Sequence, residues 1–79
     1  MVKLLFYTRQ NCHLCETAKA AVREMQKYHD FELEFRDVDH HPDWVNAYGD
    51  EVPVGIIGDR KIFKYHVKEE QLRRAILAS

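Results

Sequence analysis

The sequence is short of nearly everything that marks a specialised class of protein. In 79 residues it has two cysteines, two prolines, three glycines and one tryptophan. So little Gly and Pro excludes collagen-like and low-complexity chains. Two cysteines, two residues apart, are too few and too close for the disulfide framework of a small secreted domain. No apolar run approaches the length of a membrane span. The longest at the start, Leu4-Leu5-Phe6-Tyr7, is too short for the apolar core of a secretory signal. An excess of charge is missing too: 12 basic residues face 13 acidic ones, and the formal net charge is −1. With no basic block and no acidic tail, neither nucleic acid nor a membrane is an expected partner. These absences together lead to the expectation of a cytoplasmic protein, most simply a monomer.

What is present is ordinary globular material, 46% hydrophobic and 32% charged. The length fits one domain, residues 1–79, with a core that can bury only a limited share of the surface. Residues 2–8 form a compact β-rich run whose continuous apolar stretch suits a central strand covered on both faces. A helix is predicted over 13–28, with Leu14, Ala18, Ala21, Val22 and Met25 on its inner face. Phe31, Leu33 and Phe35 alternate with charged residues, which predicts a strand to about 38. Pro42 suits the first position of a short helix over 43–48, from which Trp44, Val45 and Tyr48 can face inward. Residues 52–57 read as a strand, 58–60 as a hairpin turn and 61–65 as the returning strand, with Ile62 inward. A last helix is predicted over 68–78, with Leu72, Ala75, Ile76 and Leu77 toward the sheet. The order is β-α-β-α-β-β-α. It predicts a parallel first pair with a right-handed crossover, an antiparallel final hairpin, and an α/β fold with a four-stranded mixed sheet flanked by helices.

Cys12-His13-Leu14-Cys15 falls where a strand hands over to a helix. A bridge across so small a loop removes little entropy from the unfolded chain, so the pair is expected to be chemical and not a staple. The helix N-terminus favours negative charge, which lowers the pKa of a thiol placed there and makes Cys12 a nucleophilic thiolate. Cys15, one turn further in, is the less exposed of the two. His13, Leu14 and Asn11 are expected to modulate that environment. Thr8, Arg9 and Asn11 shape the rim. Two other readings stay open for the pair. Small buried hydrophobes are one, and a metal or iron–sulfur site is the other, although zinc ordinarily takes four ligands. His40 and His41 read as solvated turn residues, His66 as a connector, and Trp44 as core. Gly55 inside a strand marks a bulge or a close approach, either leaving room near the Cys12 sulfur or packing locally against the first helix. Glu69 and Arg73 are spaced for a weak surface pair.

The run Tyr7-Thr8-Arg9-Gln10-Asn11-Cys12-His13-Leu14-Cys15 resembles the active-site segment of glutaredoxins. It looks most like small bacterial and archaeal glutaredoxin-like proteins with a Cys-His-Leu-Cys site. Phe35-Arg36-Asp37-Val38-Asp39 and Glu51-Val52-Pro53-Val54 fit that family in order and spacing. The resemblance implies a thioredoxin fold and a dithiol disulfide reductase, with Cys12 as nucleophile and Cys15 as resolving thiol. It implies that Pro53 is cis, that Val52 offers its backbone to an extended substrate, and that Arg9 stands where a basic residue helps bind glutathione. Disulfide-bearing proteins or glutathione mixed disulfides are the implied substrates. Glutathione is then a co-substrate, no metal or organic cofactor is needed, and a separate reductant closes the cycle. The chain departs from the family where a Gly-Gly stretch precedes the last helix; here that region reads Phe63-Lys64-Tyr65-His66-Val67-Lys68-Glu69, with no Gly. It also has Glu51 where Thr is common, and Asn11 where thioredoxins carry Trp. The rival readings are a metal or iron–sulfur binding module and a redox-inert adaptor of the same fold.

Overall fold

The computed structural model describes residues 1–78. The chain forms β1 (Lys3–Thr8), α1 (His13–Gln26), β2 (Glu32–Asp37), a short 3-10 turn (Val38–His40), α2 (Pro42–Tyr48), β3 (Val54–Ile57), β4 (Arg60–Lys64) and α3 (Glu69–Leu77). The sheet order is β2-β1-β3-β4. β1 runs parallel to β2 and antiparallel to β3, and β3 and β4 form an antiparallel hairpin. The continuous apolar run of β1 therefore sits in the middle of the sheet, as a strand buried on both faces requires.

The period-two alternation of β1 sends its side chains to two different cores. Leu4 and Phe6 join Ala18, Val22 and Met25 of α1 and Leu72, Ala75 and Ile76 of α3. Tyr7 points the other way, to a cluster with Val38, Val54 and Ile56 on which Trp44 and Tyr48 of α2 pack. Helices thus cover both faces. Gly55 lies opposite both Phe6 and Phe63. A Cβ at that position would overlap the Phe63 ring. The close approach is therefore to Phe63 of β4, not to Cys12 or to the first helix as expected. The ladder also slips between Gly55 and Ile56. The extra residue on β4 turns two neighbours, Ile62 and Phe63, into the same core.

Three side-chain expectations need correction. Leu14 is 38% exposed, and the inner position of the first turn of α1 is taken by Cys15. Leu14 lies at the margin of the helix face that Cys15, Ala18, Val22 and Met25 bury. Leu77 is 61% exposed although Ile76 beside it is buried, because it lies about 100° round the helix from Ile76 and off the face shared with Leu72 and Ala75. The surface pair on α3 is not Glu69 with Arg73. Glu70 takes both Arg73 and Arg74.

Candidate functional site

The site lies at the C-terminal edge of β1 and β2 and the start of β3. Tyr7 is registered with Val54 and Thr8 with Asp37. Extending the β1–β3 register by one residue brings Pro53 alongside Thr8, where β1 gives way to the loop that leads to the cysteines. The Val52–Pro53 peptide bond is cis. Pro53 and Val54 are buried. Neither the N–H nor the carbonyl of Val52 has a hydrogen-bond partner among the described residues. The neighbouring carbonyls of Glu51 and Pro53 both accept from the amide of Tyr65, at 3.1 and 2.9 Å.

The loop from β1 enters α1 through Asn11, whose φ is 58°. Asn tolerates the left-handed region better than most side chains, and this gives the residue before the cysteines a conformational task. Cys12 follows as the N-cap of α1, in extended backbone. Its sulfur accepts the N–H of Cys15 at 3.1 Å, one of the unpaired donors of the first turn. Cys12 and Cys15 are joined in a disulfide, with their Cα atoms 5.2 Å apart. Cys12 is half-buried, whereas Cys15 has no exposed surface. Of the two sulfurs, Cys12 faces the outside. His13 and Leu14, between them, are both exposed.

A groove of about 720 Å³ opens beside Cys12. Its walls include Thr8, Arg9 and Asp37 at the sheet end and Glu16 and Lys19 on α1. Its charges are largely matched. Lys19 reaches Glu16 at 2.9 Å. Arg9 forks onto Asp39 through Nε and Nη2, at 3.0 and 2.9 Å, and donates through Nη1 to the carbonyl of Gly49 at 3.1 Å. The hydrogen bond from Arg9 holds the Asp39 carboxyl below its ordinary range, and the same bond raises the guanidinium further above its own. Arg9 is therefore where an anion-binding cation is expected, but its fork is already occupied. Glu51, before the cis-proline, accepts from Lys61 at 2.6 Å and Lys64 at 3.4 Å. Those bonds, the one from Lys61 above all, hold its carboxyl below the usual range. The carboxylate is tied down to β4.

Three features of the site region lay outside the sequence reading. Tyr65 has φ 67°, rare for a bulky residue, in the segment where glutaredoxins have glycine. His41 caps α2 by accepting the N–H of Asp43 on Nδ1 at 3.2 Å, and its ring stacks on Trp44. Thr8 is 7% exposed, and its hydroxyl has no hydrogen-bond partner among the described residues. No group of three or more His, Cys, Asp and Glu gathers among the described residues in a way that could hold a metal ion. None of the helices described is long and apolar enough to cross a membrane.

A mixed sheet in this order, a Cys-x-x-Cys pair opening the first helix and a cis-proline opening the third strand define a thioredoxin-fold protein with a dithiol site. Two solved structures agree. The solution NMR structure of protein Ne2328 from Nitrosomonas europaea matches with TM-score 0.85 and 32% identity, over 95% of this chain and 91% of that one. The X-ray structure of target protein XcR50 from X. campestris matches with TM-score 0.67 and 26% identity, over 96% and 97%. The "Glutaredoxin-like protein YDR286C homolog" of Dictyostelium discoideum is 32% identical over 77 residues, 90% of this chain and 71% of that protein. Residues 3–77 match the model of the glutaredoxin-like domain (DUF836). The chain belongs to the glutaredoxin-like family.

Proposed function

We propose that the protein is a thiol–disulfide oxidoreductase that reduces disulfides of proteins or small molecules. The observation that carries this reading is the unequal burial of two bonded cysteines at a helix N-terminus. The outer sulfur has a backbone donor aimed at it, a setting that stabilises a thiolate. In the reduced protein, the Cys12 thiolate attacks one sulfur of a substrate disulfide. A bond forms from Cys12 to that sulfur, and the other sulfur leaves as a thiolate. Cys15, as its thiolate, then attacks Cys12, closes the 12–15 disulfide and expels the second substrate thiolate. Two electrons have passed from the protein to the substrate. A thiol reductant, either glutathione or a partner dithiol protein, returns them. Val52, with its free backbone groups, is placed to pair with an extended substrate. The exchange needs no metal or organic cofactor. We place the protein in the reducing cytoplasm and expect it to act as a monomer.

The test is trapping with a chromogenic aryl disulfide, read by mass. Cys15→Ser, reduced first, should hold one aryl thiol on Cys12 as a stable mixed disulfide. Cys12→Ser should trap none at a comparable rate, and its turnover should fall to the uncatalysed background. Equal, slow labelling of both variants removes the reading and favours a redox-inert adaptor.

A further inference from the structure

One polar atom near the pair is left over by the mechanism above. Thr8 Oγ1 is buried and unpartnered among the described residues. A buried hydroxyl without a partner is costly, so its presence asks for a state in which it has one. Its position narrows the choice. Side chains on β1 alternate, and Leu4 and Phe6 face α1. Thr8 falls on that same face one step further along, at the edge of the groove beside Cys12. In the first turn of α1, on that side of the sheet, the buried residue is Cys15. The two sulfurs are unequally served. Cys12 accepts an N–H, while the fully buried Cys15 sulfur accepts no hydrogen bond among the described residues. As half of a disulfide it hardly needs one. As a buried thiolate it does.

We propose that Thr8 is a positioning residue for the resolving cysteine, and that its hydroxyl donates to Cys15 Sγ once the disulfide opens. This rests on the redox role of the pair. The oxidised protein then carries an orphan hydroxyl and the reduced protein does not. Thr8 thereby favours the reduced state and readies Cys15 for attack on the mixed disulfide.

The experiment is equilibration of the protein with dithiothreitol of varied redox ratio, scored by alkylation and mass. Here the dithiol closes to its own disulfide as the 12–15 bond takes up two electrons and two protons. Thr8→Val keeps the shape and removes the hydroxyl. It should shift the equilibrium toward the oxidised form by about fivefold, the size of one hydrogen bond. Oxidised Thr8→Val should also be no less stable in denaturant than oxidised wild type. Thr8→Ser, which keeps the donor, should restore the wild-type equilibrium. An unchanged equilibrium in Thr8→Val overturns the proposal, as does equal destabilisation of both redox forms. If the wild-type disulfide itself neither opens with excess dithiothreitol nor exchanges, the redox function falls and takes this proposal with it. A wild type that cycles beside an indifferent Thr8→Val removes only the role of Thr8.

Discussion

The two faces of the sheet are built differently. Under α1 and α3 the core is dry and mostly aliphatic, with Leu4, Phe6, Val22 and Leu72 wholly buried. Under α2 no helical residue is fully buried. That helix is held by its edges. Tyr7 meets Trp44 edge-on and Tyr48 at a tilt, with ring centroids 5.7 and 4.3 Å apart. Arg36 lies over the rings of Tyr7 and Trp44, and Lys61 over Tyr48. The Arg9 fork ties the turn before α2 and the residue after it to the loop leaving β1. The thick face carries α1, and with it both cysteines. The spacing of the two sulfurs is therefore set by the part of the molecule best able to resist distortion, while the groove beside them is walled by α1 and by the loop that Arg9 ties to the thin face.

The contrast predicts unequal costs. Leu72→Ala opens a cavity in the thick face and should lower stability by about 2–5 kcal/mol. Trp44→Ala removes a larger side chain from the thin face and should cost less, about 1–2 kcal/mol, because that side chain is only partly buried and its ring pairings are modest. Denaturant melts of the oxidised proteins check both. Equal losses would break the comparison. Amide exchange sharpens it: α2 should open well before α1, since its amides are guarded by few buried contacts.

His41→Ala tests a smaller element of the thin face. It removes both the cap of α2 and the ring stacked on Trp44. The expected loss is about 1 kcal/mol or less, the usual value of a helix cap, with faster exchange confined to the first turn of α2. Exchange that quickens equally in α1 would mean that the two faces are one cooperative unit.

The same division explains what could be read in advance. The thick face was legible because it obeys periodicity. A continuous apolar run gave the central strand, and helical spacing gave Ala18, Val22, Met25 and Leu72. Periodicity does not fix the edge of a buried face, and so Leu14 and Leu77 seemed inward although each lies at or beyond that edge beside a buried neighbour. On the site, spacing placed Cys12 and Cys15 on a helix start, but the cis state of Pro53 followed only from resemblance, since trans is the commoner isomer. His41 left a faint trace in Pro42, which marks a helix start without naming histidine as its cap. Tyr65 left none, because a bulky residue with positive φ is chosen by its surroundings. The neighbouring Glu69 and Glu70 offered two acids for the same arginines, and only packing decided between them. The orphan hydroxyl of Thr8 is a property of burial in three dimensions and has no sequence signal.

The smallest predicted effect lies in the Arg9–Asp39 fork, where the sign follows from the direction of the shift. Asp39 is held below its ordinary range chiefly by the hydrogen bond from Arg9, against a desolvation that pushes the other way. A carboxyl depressed in the folded state contributes stability that is present above its unfolded pKa of about 3.9. That contribution fades as pH falls through the lower folded value. The pair is half exposed, so solvent and salt keep it small. Glu34, Glu51 and Glu70 are depressed in the same direction, and acid will weaken the whole molecule for their sake as well. Asp39→Asn separates the two, since it keeps the shape but removes the charge, the titration and one of the two acceptors of the fork. At neutral pH the variant should be slightly less stable than wild type, with α2 exchanging faster. In acid the gap should close, because wild-type Asp39 has then lost the same charge. A gap that persists in acid would mean that Asp39 holds the thin face by its shape and hydrogen-bond geometry, and the fork would belong to packing instead of electrostatics.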